Sequence, residues 1–283
     1  MALKGNLLFN GDFETGTVEG WETAPFNKPF DGELFVSEDA KYRGNYGGVL
    51  KATKDWSLMY VAYDKLCSFE EYEGFLYIVY CKNVSGATIY PILYGTDDKG
   101  ELIEALPLGY TSDTGNWLKY QAILRGFGDI THFKVGLYAY AYYKDSLFYF
   151  DEAKLIPLRS IRGHVLSENK HFTDVTSDKK WHATLACIGR CRLRSILQTV
   201  NVSGSSPTLD TTLSIKIFPD QMVSYTLNHS QFTGEEFEEV TIDLPEISFI
   251  TIEYKLGGTD PKFTIRHRLR VELDGMATGA VLA

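Results

Sequence analysis

The sequence has few cysteines, no long apolar run and more acidic than basic residues. Its 283 residues contain four cysteines, too few for a disulfide scaffold in a chain of this length. No apolar run approaches eighteen residues, which excludes a transmembrane helix, and the first six residues lack the apolar stretch of a secretory signal. The formal net charge of −9 argues against sequence-independent binding to nucleic acid or to an anionic membrane, because both need basic patches.

Aromatic residues are unusually abundant. The chain contains 18 Tyr, 17 Phe and 4 Trp, together 14% of its residues. These residue types favour strands, and apolar and polar residues alternate in short runs with almost no helical periodicity. Clusters of Gly, Asp, Asn and Ser separate the runs, as they do in sandwiches and barrels. The sequence therefore predicts an all-β protein.

The composition changes near Pro157. Before this point the chain is rich in Tyr and Gly, and after it Tyr becomes rarer while Thr, Ser and clustered Arg increase. We therefore expect two β domains, 1–158 and 159–274. A run of small residues over 275–283 is expected to form a tail.

The second domain contains strong turn signals as well as alternation. The alternating pattern predicts a strand over 181–193. The segments 201–207 and 257–261 are rich in residues that favour turns, so we expect both segments to end strands.

Cys187 and Cys191 leave three interpretations open. On one continuous strand they would lie about 13 Å apart, beyond the reach of a disulfide. If Gly189 turns the chain, the two thiols would be able to form a disulfide, or to bind a metal with His182. A zinc site would need two more ligands at short spacing, and none is visible. Free, buried thiols are the simplest interpretation.

Arginines alternate with other residues in two segments of the second domain. Arg192 and Arg194 follow Arg190, and a second cluster contains Arg266 and Arg268. Because alternate strand residues share a face, the first segment predicts either an anion-binding patch or a solvated, ion-paired strand face.

The first 158 residues carry motifs of a known group of modules. They are Asn6-Leu-Leu-Phe-Asn-Gly-Asp-Phe-Glu14, Gly20-Trp21, Tyr42-Arg-Gly-Asn-Tyr-Gly-Gly, Gly115-Asn-Trp-Leu-Lys-Tyr-Gln and Phe148-Tyr-Phe-Asp-Glu-Ala-Lys-Leu. These segments resemble galactose-binding-like carbohydrate-binding modules of families 4, 9, 16 and 22, except that Glu152 stands where the closing strand usually has a second aspartate. The resemblance implies an N-terminal jelly-roll β-sandwich, followed by a second, smaller β-sandwich-like domain. Nothing comparable is recognisable in 159–283.

The resemblance also implies a calcium site. Asp12, Glu14 and Asp151 carry hard oxygen ligands, and the implied fold brings the first and last strands together. With carbonyl groups of residues 41–45, the three carboxylates would supply the six to eight oxygens that Ca²⁺ prefers. In the family this ion is usually structural. The alternative is that Asp12 and Glu14 make only turn and surface hydrogen bonds.

Tyrosines lie where alternation normally places charged residues. In the strand predicted over 133–142, one face carries core residues and the other carries the tyrosines, a pattern repeated over 88–94. Aromatic rings stack on the apolar C–H faces of sugars, and the resembling modules bind glycans on such a face. The alternative is that another domain or protomer covers these rings. The predicted ligand-binding residues are Trp56, Tyr90, Tyr94, Tyr138, Tyr140 and Tyr142.

No familiar catalytic motif occurs in the sequence, so we expect a non-catalytic protein that binds a glycan or polysaccharide. The main alternative is a structural protein of a phage, another virion or a cell surface, assembled as a homo-oligomer or with other components. An enzyme with its active site in the second domain is a third possibility. The first two functions imply an extracellular, virion or cell-surface location, and the sequence leaves the cytoplasm open.

Overall fold

The chain is all-β, as its composition predicts. The computed structural model describes residues 5–70, 72–109, 115–160, 164–217 and 224–273. Within these residues the helical segments are two 3-10 turns, Pro25–Asn27 and Glu38–Ala40, and no helix is long and apolar enough to span a bilayer.

The chain divides into two compact units, Met1–Arg159 and Ser160–Ala283. The boundary that we placed after residue 158 lies one residue before this division. The tail expected over 275–283 lies outside the described residues.

The first unit is a sandwich of two antiparallel sheets. In chain order its strands are β1 (Trp21–Thr23), β2 (Gly32–Ser37), β3 (Gly47–Ala52), β4 (Ser57–Tyr63), β5 (Cys67–Ser68), β6 (Gly74–Asn83), β7 (Thr88–Thr96), β8 (Leu102–Pro107), β9 (Leu118–Leu124), β10 (His132–Ala141) and β11 (Leu147–Leu158). The first sheet has the spatial order β1-β4-β10-β7-β8, with β5 also paired to β10. The second sheet has the order β9-β6-β11-β3-β2. This arrangement confirms the β-sandwich predicted for the N-terminal domain.

The core of the first unit lies between these sheets. Along β10, Phe133, Val135 and Leu137 are buried, and the residues between them point away from the core because successive strand residues face opposite sides. Tyr138 and Tyr140 therefore lie on the outer face of the first sheet. This is the face on which we predict ligand binding.

The N-terminal motif fastens the start of the chain to β11. Asn6 accepts a hydrogen bond from the Leu155 N–H at 2.7 Å and donates one to the Ala153 carbonyl at 2.8 Å. Phe13 is buried, with its ring centroid 5.0 Å from that of Phe150. These residues of the motif hold the sandwich together.

The second unit is built on two long strands. In chain order its strands are β12 (Val165–Val175), β13 (Lys179–Ala183), β14 (Leu185–Cys187), β15 (Cys191–Lys216), β16 (Ser224–Asn228), β17 (Phe237–Leu244) and β18 (Phe249–Leu273). β15 and β18 pair antiparallel along their length. β12 and β17 flank one end of this ladder, and β13 and β16 flank the other.

The long ladder folds over on itself. Tyr254 and His267 of β18 are thirteen residues apart, a separation of about 43 Å in a straight strand. The Tyr254 hydroxyl nevertheless lies 2.6 Å from the His267 ring. The two halves of the ladder therefore face each other, and the unit is the second β-sandwich that the sequence predicts.

The prediction that 201–207 and 257–261 end strands is wrong. The two segments lie opposite each other inside the ladder, and the pairing register shifts three times between them. Gly258 has a φ of 96°, and a Cβ there would lie 2.4 Å from the Ser206 carbonyl oxygen. Because the turn-forming residues of both strands meet, they bend the ladder without ending it.

The strand predicted over 181–193 is interrupted at Gly189, where a φ of 100° turns the chain. Cys187 lies just before this turn and Cys191 just after it, and the Cys187 thiol donates to the Gly189 carbonyl oxygen at 3.6 Å. Both cysteines are free and buried. The structure thus has the turn that alternation alone did not predict.

Candidate ligand-binding surface

Three tyrosines form a stacked row across the outer face of the first sheet. The strand register places Tyr138 of β10 between Tyr60 of β4 and Tyr90 of β7. The ring centroids of Tyr60 and Tyr138 are 4.3 Å apart with an interplanar angle of 17°, and those of Tyr90 and Tyr138 are 5.1 Å apart at 20°. Such cross-strand pairs stabilise the sheet and present a continuous aromatic face.

The aromatic face continues toward the end of β10. The ring centroid of Tyr142 lies 5.1 Å from that of Tyr140 and 5.1 Å from that of Trp56, a residue that precedes β4. Trp56 is 63% exposed and Tyr142 is 46% exposed, so this end of the row is open to solvent. We call the whole set the aromatic surface. It consists of Trp56, Tyr60, Tyr90, Tyr138, Tyr140 and Tyr142.

Tyr94, which we predicted to bind ligand, is not accessible. Its ring is fully buried, with the Phe26 ring 5.8 Å away, and its hydroxyl donates to the Val61 carbonyl at 3.3 Å. A Cβ on Gly136 would lie 3.0 Å from this ring, so glycine provides the space that Tyr94 occupies. Alternation places Tyr94 on the correct face, but it does not reveal that the turn at residues 25–27 covers that end.

Tyr60 joins the aromatic surface although we did not predict it as a ligand-binding residue. The pattern that would have identified it is the alternation of β4, since Tyr60 faces the same way as Leu58 and Ala62. Burial raises the pKa of Tyr60 and of Tyr138 above the ordinary phenol value. Both phenols therefore stay neutral and able to donate hydrogen bonds at physiological pH.

The three residues predicted to hold calcium have separate roles. Oδ2 of Asp151 accepts backbone N–H bonds from Tyr42 at 2.8 Å and from Arg43 at 3.0 Å, and Oδ1 accepts one from Glu152 at 2.7 Å. Burial raises the pKa of Asp151 to about 6, although these N–H groups act in the opposite direction. This carboxylate faces amide donors, whereas a cation would need oxygens directed at it.

Glu14 anchors the same loop at a second point. It accepts N–H bonds from Asn45 at 2.7 Å and Tyr46 at 3.1 Å, which lower its pKa. Asp12 is exposed and caps the N–H of Glu14 at 3.4 Å. Among the described residues, no three His, Cys, Asp or Glu side chains come together to hold a metal. In this structure Glu14 and Asp151 hold the 41–46 segment through its N–H groups, and calcium binding by Asp12, Glu14 and Asp151 stays a prediction.

The second unit contains a buried hydrogen-bonded chain that the sequence did not predict. Ser195 Oγ lies 2.8 Å from Nε2 of His229, whose Nδ1 lies 2.9 Å from Oε2 of Glu238. Ser195 Oγ also lies 2.6 Å from Nε2 of His267, and Nδ1 of His267 accepts a hydrogen bond from the Tyr254 hydroxyl. The Glu238 carboxylate can only accept, and each neutral imidazole donates from one nitrogen and accepts at the other. One assignment meets these conditions: Tyr254 donates to His267, His267 to Ser195, Ser195 to His229 and His229 to Glu238.

Ser195, His229 and Glu238 have the distances of a nucleophilic triad, but their environment is that of a core. Ser195 is fully buried, and its oxygen already accepts from a second imidazole. Burial also lowers the pKa of His229 and brings that of His267 to about 3. The arrangement satisfies buried polar groups and gives the serine no exposed face from which to attack a substrate.

Comparisons with known proteins return structural likenesses alone. No protein-family model and no curated protein matches the sequence. The tandem CBM22-1-CBM22-2 domain from Paenibacillus barcinonensis Xyn10C is 12% identical, with a TM-score of 0.41, over 96% of this chain and 99% of that one. The CBM22-1 xylan-binding domain of the same protein is 17% identical, with a TM-score of 0.41, over 56% of this chain and 99% of that one.

A third solved structure, TmCBM61 in complex with beta-1,4-galactotriose, is 14% identical, with a TM-score of 0.39, over 54% of this chain and 98% of that one. All three are carbohydrate-binding modules, the group that the sequence motifs resemble. The all-β architecture of this chain rests on its own strand pairing.

Proposed function

We propose that the first unit binds a glycan chain through the aromatic surface. The observation that carries this proposal is the stacked row of Tyr60, Tyr138 and Tyr90, continued by exposed rings at one end. Sugar rings pack their C–H faces on aromatic rings, and the phenol hydroxyls supply hydrogen bonds to sugar hydroxyls. The motifs that resemble carbohydrate-binding modules lie in this same unit.

The two ends of the aromatic surface differ in how open they are to solvent. At one end of the stacked tyrosines, Phe26 covers Tyr94, and Lys134 pairs with Glu22 at 2.7 Å. Side chains therefore close this end of the aromatic surface. The other end opens toward Trp56. A glycan would therefore cross the stacked tyrosines and continue toward the exposed tryptophan.

A glycan array followed by calorimetry on the best ligand tests this proposal. Each stacking contact contributes on the order of 1 kcal/mol, so Trp56→Ala should weaken binding about fivefold to tenfold while the protein stays folded. Phe35→Ala is the matched control, because Phe35 is an exposed aromatic residue on β2, in the opposite sheet. If the array shows no bound glycan, or both variants weaken binding equally, the proposal fails.

Assembly is the second candidate function, since contiguous exposed aromatic rings also mark protein interfaces. The partner would be a second copy of the chain or a component of a virion or cell surface. Light scattering distinguishes this case: an oligomer that Trp56→Ala converts to a monomer, with no glycan bound, favours assembly. Either function would place the protein outside a cell, on a virion or at a cell surface.

A further inference from the structure

The outer face of the second unit carries five arginines in a protein of net negative charge. The strand register sets them on two neighbouring strands, β15 and β18, each pointing away from the core. They are Arg192, Arg194, Arg266, Arg268 and Arg270.

Carboxylates neutralise the arginines at one end of this face. Arg192 binds both oxygens of Asp243 at 2.7 and 3.1 Å. Arg194 pairs with Glu239 at 3.1 Å and with Glu272 at 3.2 Å. This end is therefore the ion-paired strand face that was one of our two expectations, and its guanidinium groups are already engaged.

The other end is different. Arg266 and Arg268 are exposed, and neither forms an ion pair with any residue that the structure describes. As alternate residues of one strand, their backbones are about 7 Å apart. Two unpaired guanidinium groups side by side on one face favour a ligand that carries more than one negative charge.

A depression of about 340 Å³ lies beside these two arginines. Its lining combines cationic and amide groups with apolar side chains, and it includes His171, Ile196, Gln198, Phe237, Arg266 and Arg268. Phe237 is 65% exposed and lies opposite Gln198 in the register of β17 and β15. An exposed ring next to free arginines offers both a stacking platform and charge complementarity.

We infer that this depression binds a carboxylated glycan, a chain of uronic acid residues. The planar guanidinium fork matches a carboxylate in two parallel hydrogen bonds, and the C–H face of the sugar ring stacks on Phe237. The amide of Gln198 is placed to bond with a sugar hydroxyl. A small inorganic anion would leave the apolar part of the depression unused. The inference concerns the second unit and does not depend on the aromatic surface of the first.

Calorimetry with the full chain and an oligogalacturonate of about six units tests this inference. We expect binding that weakens with added salt, because the contacts are solvent-exposed charge pairs. Replacing both arginines, Arg266→Ala with Arg268→Ala, should weaken binding at least tenfold. A variant with lysine at both positions keeps the positive charges but cannot form the two parallel hydrogen bonds of a guanidinium group. It should bind several-fold more weakly than the unsubstituted protein.

Matched controls make the result specific. Arg192→Ala removes an arginine of the same face that is already paired, and Trp56→Ala removes a ring of the aromatic surface, so neither should alter oligogalacturonate affinity. A carboxyl-reduced oligomer should not bind. The inference is overturned if no oligogalacturonate binds, if Arg192→Ala weakens binding as much, or if inorganic phosphate or a sulfated oligosaccharide binds equally well. Loss of binding in Trp56→Ala would also overturn it, while supporting glycan binding by the first unit.

Discussion

The hydroxyl of Tyr254 lies 2.6 Å from Nδ1 of His267, and this contact joins the two halves of β18 across the core of the second unit. The phenol donates and Nδ1 accepts, so the His267 ring is neutral and carries its proton on Nε2. Burial lowers the pKa of His267 to about 3 and also lowers that of His229. Both rings therefore stay neutral at pH values at which an unfolded chain would protonate them.

We expect acid to destabilise the second unit. Between about pH 6.5 and pH 3 the unfolded state binds protons that the folded state does not, so the free energy of unfolding falls as the pH falls. For His267 the full loss is on the order of 5 kcal/mol. Amide hydrogen exchange of the Phe249–Leu273 strand at several pH values measures it.

His267→Gln should reduce this pH dependence, while lowering stability at neutral pH by about 1–3 kcal/mol through unsatisfied buried partners. His171→Gln is the control, because His171 is exposed. An unchanged pH profile in His267→Gln would show that other groups cause the acid sensitivity.

Asp151→Ala should destabilise the first unit. The N–H groups of Tyr42 and Arg43 lose their acceptor, at a cost of about 2–4 kcal/mol. Asp12→Ala should change the free energy of unfolding by less than about 0.5 kcal/mol, because Asp12 is exposed. Urea denaturation of both variants gives the comparison, and equal effects would contradict the anchoring role of Asp151.

A chelator separates amide anchoring from the calcium site that the family resemblance implies. The calcium prediction implies that EDTA lowers the melting temperature, because a bound ion stabilises the folded state by about 2.7 kcal/mol at a hundredfold excess over its Kd. If the N–H bonds that Glu14 and Asp151 accept are the whole anchor, EDTA leaves the melting temperature unchanged. A fall in melting temperature that Asp151→Ala abolishes would establish the calcium site, and elemental analysis would detect an ion too tightly bound to remove.

Tyr94 and Trp56 should respond to substitution in opposite ways. Tyr94→Ala opens a cavity under Phe26 and should cost about 3–5 kcal/mol of stability. Trp56→Ala removes a ring that is mostly in solvent and should cost less than about 1 kcal/mol. Thermal denaturation of the two variants tests this contrast. Similar losses would mean that Trp56 is part of the core.

The cysteines should be unreactive in the folded protein. Burial raises the pKa of Cys67 to about 11 and raises that of Cys81 well above its ordinary value. Cys187 and Cys191 are buried and free. Titration with a thiol reagent at pH 8 should therefore be slow in buffer and reach four equivalents in denaturant. Rapid reaction of two thiols in buffer would show that the Gly189 turn is open.

The alternating pattern predicts the first unit well, because one face of a sandwich strand packs in the core and the other faces outward. It identifies β10 as 133–142 and places its tyrosines on the outer face. It does not identify Tyr94 as buried, since the covering residue is 68 positions away along the chain.

Prediction fails in the second unit for a related reason. The segments 201–207 and 257–261 each favour a turn in isolation, and only their pairing with each other keeps them in strands. The chain from Tyr254 to Glu238 joins residues up to 72 positions apart, so no local motif reveals it. Long-range pairing decides both features.

The paired bulges of β15 and β18 also bear on how this protein tolerates insertions. In a regular ladder, one added residue turns every later side chain to the other face. Here the register already shifts three times between Val200 and Thr208, so the alternation starts anew on each side of the bend. A loop grafted into this bend would leave both layers with their own alternation intact. The bend is therefore the place where residues can be inserted into the second unit while the core side chains of both layers keep facing inward.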